Sequence, residues 1–149
     1  MQYYIDNRQS KYEITSETEE LIQKVILESL KVEGLDDNYE VSISFVENSE
    51  IRDLNNQYRN VDSDTDVLSF PMEDEFDYGT PLLGDIIISV EKADEQSREF
   101  GHSLQREIAY LTCHSMFHLL GYDHMNDEEK NEMRNKEKQV MKNLKIFKD

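Results

Sequence analysis

The chain is poor in the residues that staple, punctuate or anchor a protein. Its 149 residues include a single cysteine, Cys113, so no internal disulfide can form. Two prolines and five glycines are scattered without forming a linker, and there is no internal repeat or low-complexity segment. One domain over residues 1–149 is therefore expected, a length that buries a real core without covalent help. No run of roughly 18 apolar residues exists, so no membrane-spanning helix and no membrane partner are expected. The opening Met1–Asp6 has neither the basic region nor the apolar stretch of a secretion signal, which points to the cytoplasm. Positive charge is scarce too: 16 Lys and Arg stand against 33 Asp and Glu, for a formal net charge of −17. An acidic body stays soluble and repels polyanions at long range, which by itself argues against a nucleic-acid partner. Charge is local as well as global, however, and a basic cleft can sit on an acidic body.

What the chain does have is clear periodicity. Residues 1–6 alternate weakly, as a first strand would. Leu21, Ile22, Val25, Ile26, Leu27 and Leu30 recur at helical spacing over 17–33, with Thr15 and Ser16 as candidate caps and Gly34 as a stop. Glu40–Val46 alternates with period two and reads as a strand. Asn48 or Ser49 then caps a short helix through Tyr58. Asp66–Phe70 reads as a strand stopped by Pro71, residues 72–82 as an acidic loop, and Asp85–Val90 as an apolar strand covered on both faces. Helices are expected at 90–100, 103–120 and 126–144, the last two capped by Ser103 and Asn126. The sum is an α+β protein: one mixed sheet of about four strands covered by about five helices, with a metal site at the end of a helix in the C-terminal half.

The chemistry is concentrated in residues 114–124. His114 and His118 are four apart on the predicted helix, which stacks them on one face about 6 Å apart along the axis. Two imidazoles so placed can grip one ion at about 2.0–2.1 Å each. Gly121 falls where the helix should end and can take the left-handed conformation that turns the chain back, bringing His124 toward the same ion. Three histidines leave a fourth tetrahedral position for water, the mark of a catalytic rather than a structural zinc. One Zn²⁺ per chain, held by His114, His118 and His124, is the expectation. Cys113 points about 100° away around the helix and reads as a small buried residue. His102, the remaining histidine, has no partner at ligand spacing and reads as an exposed loop residue.

The spacing H-x-x-x-H-x-x-G-x-x-H is that of metzincin proteases, but those place a general-base glutamate after the first histidine. Here Ser115 occupies that position and cannot act as a base at neutral pH, so a peptidase of that type is not expected. The stretch His114–His124 instead resembles the signature of the YbeY family, metal-dependent bacterial endoribonucleases of ribosomal RNA maturation. The family pattern H-G-x-L-H-L-x-G-Y-D-H is matched except for Ser115 in place of Gly and Phe117 in place of Leu. Leu54–Arg59, Thr65–Pro71 and Leu83–Ser89 resemble further family blocks, and Arg106-Glu107 leads into the histidine helix as in the family. The resemblance implies cleavage of single-stranded RNA, maturation of the 3′ end of 16S ribosomal RNA and a part in ribosome quality control. It also implies ribosomal RNA and the ribosome or ribosome-associated proteins as partners. It carries the ligand roles onto His114, His118 and His124, and the functional arginine onto Arg59.

Phosphodiester hydrolysis needs an activated nucleophile and charge neutralisation on the phosphoryl oxygens. Zinc serves the first, and Arg59 is the candidate for gripping the phosphate bidentately. Asp85 and Asp66, at predicted strand starts, are either turn caps or hydrogen-bond partners of a ligating imidazole. Glu107, seven residues before His114, shares its helix face and is either such a partner or an exposed glutamate. Tyr122 and Asp123 shape the turn, with Asp123 a candidate partner for the water. Phe76 and Tyr78 could stack on bases, but Glu73, Asp74, Glu75 and Asp77 around them repel phosphate, and that loop could instead gate the cleft. Lys92, Arg98 and Arg106 are the nearest basic residues and read as plain helix surface. Two other readings stand beside the nuclease: a zinc-containing ribosome-biogenesis binding protein with weak or no catalysis, and a zinc hydrolase of a peptide or small molecule. The fourth zinc ligand separates them, since a protein side chain there would leave no place for water.

Overall fold

The computed structural model describes residues 1–72, 82–122 and 126–146. Nine elements follow in the order β1 (Gln2–Asn7), α1 (Ser16–Val32), β2 (Glu40–Val46), α2 (Asn48–Arg59), β3 (Val67–Pro71), β4 (Leu82–Ser89), α3 (Val90–Phe100), α4 (Leu104–Leu119) and α5 (Asp127–Asn143). The four strands form one mixed sheet in the order β1-β2-β4-β3, with β1, β2 and β4 parallel and β3 antiparallel to β4. The expected architecture is thus observed. The proline at the end of β3 is tolerated because β3 is an edge strand, where a missing N–H breaks no ladder. β4 sits inside the sheet, which is why Ile86, Ile87 and Ile88 run without alternation.

Strand alternation assigns each face to its helices. Val41, Ile43 and Phe45 of β2 and Ile86 and Ile88 of β4 bury against Ile22 and Ile26 of α1 and Leu111, Met116 and Leu119 of α4. The other face carries Val46, Ile87, Leu68 and Phe70, covered by Ile51 and Leu54 of α2. A third cluster lies beyond α4: Ala109, Cys113 and Phe117 pack with Val25 of α1 and with Met133 and Val140 of α5. Helix α4 is therefore enclosed between the sheet and α5, with α1 and α3 at its flanks.

The caps at Thr15, Ser103 and Asn126 form as expected, each side chain accepting a first-turn N–H. Helix α2 departs from expectation. Its N-cap is Glu47, which makes no side-chain cap bond. Asn48 is already helical, and its Oδ1 accepts from the Ser89 hydroxyl while its N–H donates to Glu91 Oε1 at 3.1 Å. A carboxylate from α3 thus caps α2 across the sheet end. That bond, followed by the one from Lys11, holds the Glu91 carboxyl below its ordinary pKa.

Gly84 fixes how closely α4 approaches the sheet. Its φ is +150°, and a Cβ there would lie 2.3 Å from the Phe70 carbonyl oxygen and 2.9 Å from Leu119 Cδ2. Gly84→Ala should destabilise the protein by about 3 kcal/mol or more, measured by urea unfolding, because both neighbours are held in place. Glu91→Gln should cost about 1 kcal/mol near neutral pH. Since the folded-state pKa is depressed, this contribution is present above the unfolded carboxylate value and fades as pH falls through the lower folded value. Wild-type and variant unfolding curves should therefore converge in acid.

Candidate metal and nucleic-acid site

Helix α4 is capped by Ser103 and ends in a turn that its own sequence dictates. Gly121, at φ +102°, donates to the His118 carbonyl, and the Tyr122 N–H reaches back to the Phe117 carbonyl at 2.9 Å. Between Leu111 and Leu119 every residue is buried except His114 and His118, which share one partly open face.

The two imidazoles are oriented by bonds at Nδ1. His118 Nδ1 lies 3.0 Å from the Tyr122 carbonyl oxygen, and His114 Nδ1 lies 2.6 Å from Glu137 Oε1 on α5. A carbonyl and a carboxylate only accept, so each Nδ1 carries the proton and, in the neutral ring, each Nε2 presents its lone pair. Those two Nε2 atoms face each other at 3.2 Å. Two nitrogens sharing one tetrahedral ion at zinc–imidazole bond lengths would stand about 3.3 Å apart. The donor set and its spacing therefore fit a zinc ion, with the outward proton of each ring held as in known metal-ligating histidines. His124 and Asp123 lie outside the described residues, as do Phe76, Tyr78 and the acids of the 73–77 loop.

Tyr122 anchors this end of the helix three ways. Its carbonyl holds His118, its ring meets Phe117 edge-on at 5.7 Å, and its hydroxyl donates to Glu33 Oε1 at 2.9 Å. Burial and then the Glu33 bond raise its pKa to about 12. Both departures from the family pattern point inward. Phe117 packs on Tyr122, and the Ser115 hydroxyl hydrogen-bonds that of Ser69 on β3. Cys113 is buried, and desolvation lifts its thiol to about 12, so it rests as an inert packing residue.

The remaining candidates are placed as follows. Asp85 is the fourth residue of β4, not a strand start. It pairs with Phe70, and it lies opposite in facing to Gly84 and Ile86, hence on the α2 side of the sheet, away from the histidines. Asp66 does serve its turn, accepting from the Val67 N–H at 2.8 Å and from Gln96 Nε2. Glu107 is not exposed but buried, and its carboxylate binds His102 Nε2 at 2.5 Å rather than His114. His102 is accordingly no exposed loop residue; its side chain is only 10% exposed, because α4 and the end of α3 close over it. Arg59 is exposed in the last turn of α2. Its neighbour Tyr58 rests on Phe70 at 5.3 Å between ring centroids. Ser69 and Phe70 are adjacent on β3 and face opposite ways, one to Ser115 and the other to Tyr58. The histidine helix and the end of α2 thus flank the same edge strand from its two sides.

Sequence alone did not disclose Glu137 or Tyr110. Glu137 is 23 residues beyond its histidine on another helix, and its one trace is a glutamate flanked by the apolar Met133, Val140 and Met141. Tyr110, one turn before His114, stacks on that ring at 6.0 Å and 23°.

Residues 4–145 match the family described as Endoribonuclease YbeY. The chain belongs to the YbeY family. It is 52% identical to the protein named Endoribonuclease YbeY of Clostridioides difficile over the full length of both. It is 54% identical to the one of Finegoldia magna, covering 97% of this chain and 95% of that one. A solved solution structure of a Thermotoga maritima protein has the same fold, with TM-score 0.60 and 28% identity over 96% of this chain and 91% of that one. No described helix of this YbeY-family chain is long and apolar enough to cross a membrane.

Glu137→Leu should release His114 from its single tautomer. Nitrogen-15 spectra recorded above neutral pH should show an Nδ1–H ring in the wild type and a tautomer mixture in the variant. An unchanged His114 pattern would mean that Glu137 does not hold the ring.

Proposed function

We propose that this protein is a zinc-dependent, single-strand-specific endoribonuclease that matures the 3′ end of 16S ribosomal RNA and serves ribosome quality control in the cytoplasm. The observation that carries the metal-dependent part is the facing pair of Nε2 atoms, 3.2 Å apart, with both Nδ1 protons engaged. Family membership and the names of the full-length relatives support RNA as the substrate. The ribosomal assignment rests on the family resemblance of the motif blocks.

In this reading His114, His118 and His124 hold one zinc ion. The ion, when bound, supplies Lewis acidity toward water and toward a phosphoryl oxygen. The chain's own residues do the rest. Glu137 and the Tyr122 carbonyl keep the two described imidazoles turned inward, so little reorganisation is left for the reaction itself. Arg59, across the β3 edge, grips the phosphate bidentately. Tyr110 keeps its proton, because burial and then the nearby Glu137 charge raise its pKa to about 12. It is a hydrogen-bond donor beside His114 and not a base. An edge strand, unpaired on one side among the described residues, suits an extended single strand better than a duplex.

His118→Ala should abolish cleavage of a single-stranded RNA by folded protein, and Arg59→Ala should lower kcat/KM by about 10²–10³. Glu137→Gln should weaken zinc affinity about 10–100-fold in a chelator competition. Cleavage that survived both His118→Ala and Arg59→Ala would belong to a contaminant and sink the proposal.

A further inference from the structure

Beside the histidines, α3, α4 and α5 enclose a pocket of about 710 Å³, within the size range of small-ligand sites. It shares Tyr110 and Glu137 with the histidine site. Its lining reverses the charge of the rest of the molecule. Arg134, Lys138 and Lys142 recur every fourth residue along one face of α5, opposite Arg106 of α4. Among the described residues none of these four cations meets a carboxylate within salt-bridge distance. The three carboxylates of the lining are all engaged: Glu107 by His102, Glu137 by His114, and Asp66 by its turn and Gln96. A protein of net charge −17 thus gathers four of its 16 basic residues at one concavity, against three carboxylates.

Two polar atoms there are buried and lack a hydrogen-bond partner among the described residues, Arg106 Nη1 and His102 Nδ1. A buried guanidinium N–H without an acceptor is costly unless a ligand provides one. His102 donates from Nε2 to Glu107, so its Nδ1, in the neutral ring, accepts. The walls carry aromatic and aliphatic surface, with Phe100 51% and Tyr110 40% exposed. Cations for phosphate, flat apolar faces for a base and an acceptor for a ribose or base donor are the chemistry of a nucleotide.

We infer that this pocket is a subsite of the RNA strand, holding a nucleotide that flanks the scissile phosphate. The inference rests on the ribonuclease reading and deepens it. Arg134, Lys138 and Lys142 bind the backbone of the strand leaving the histidines, Arg106 takes a phosphoryl oxygen, and Phe100 supplies the stacking face. The acidic body elsewhere repels the strand and so confines it to this track.

The test reads binding rather than turnover, on the full-length protein with a fluorescent single-stranded RNA and a chelator present. Arg134→Gln/Lys138→Gln/Lys142→Gln should raise Kd at least about tenfold at low salt. It should also flatten the slope of log K against log salt by about 2, three phosphate contacts at the single-strand value. Phe100→Ala should weaken binding at least about fivefold with the slope unchanged. Lys24→Gln/Lys31→Gln/Lys145→Gln, which removes equal charge outside the pocket, should bind as wild type. Superimposable isotherms for the α5 variant overturn the inference, as does equal loss in the control. So does equal binding of polyglutamate together with indifference to Phe100→Ala, which would mark a dock for acidic polypeptide. A wild type that binds as described yet never cleaves when zinc is added fails the ribonuclease reading alone. Normal binding by the α5 variant, with cleavage lost in His118→Ala, fails the pocket alone.

Discussion

Helix α4 packs against the sheet, α1, α3 and α5, and the side chains buried in those contacts have no water for their polar atoms. Each must find a partner inside the protein or destabilise it. Glu107 takes His102, Thr112 turns its hydroxyl onto the Ile108 carbonyl, and Ser115 takes Ser69. His114 takes Glu137. The orientation of the histidines is one outcome of this general requirement. Because their Nδ1 atoms are committed to the protein, their Nε2 atoms face each other on the partly open side of the helix.

The same requirement ties the site to distant parts of the chain. Glu137 brings α5 onto His114, and Tyr122 links His118 to the end of α1 through Glu33. Gly84 lets Leu119 and the adjoining His118 sit close to β4. A change at any of these positions would reach the imidazoles without touching them. The proposed catalysis therefore depends on how tightly three layers pack around one helix, and not only on the three ligands.

Net charge and local charge say opposite things about this protein, and the fold reconciles them. An acidic surface opposes RNA at a distance, yet the α5 stripe and Arg106 leave one region where cations outnumber unengaged carboxylates. Arg134, Lys138 and Lys142 are exposed and Arg106 is half-buried, so salt screens their pull on a phosphate. A mostly negative body with one cationic track offers a strand few wrong places to bind.

Much of this was legible in the sequence because it is local. Alternation and helical spacing located all nine elements, caps at Thr15, Ser103 and Asn126 set three helix starts, and Gly121 marked the turn after His118. The i, i+4 pair of His114 and His118 is a property of one helix, so their shared face follows from helical geometry alone. What the sequence could not decide is which side chains meet across elements. Asp85 and Ser69 each look like a polar residue in a strand, but only the pairing of β3 with β4 sends Asp85 to the α2 face and Ser69 to the histidine helix. Glu107 shares a helix face with His114 yet binds His102, because the end of α3 folds over it. Glu137 has no local signal that names its partner; it meets His114 only because α5 packs along α4. The spacing of the two described histidines is set by one helix, whereas the bond that orients His114 is set by packing between helices far apart in the chain.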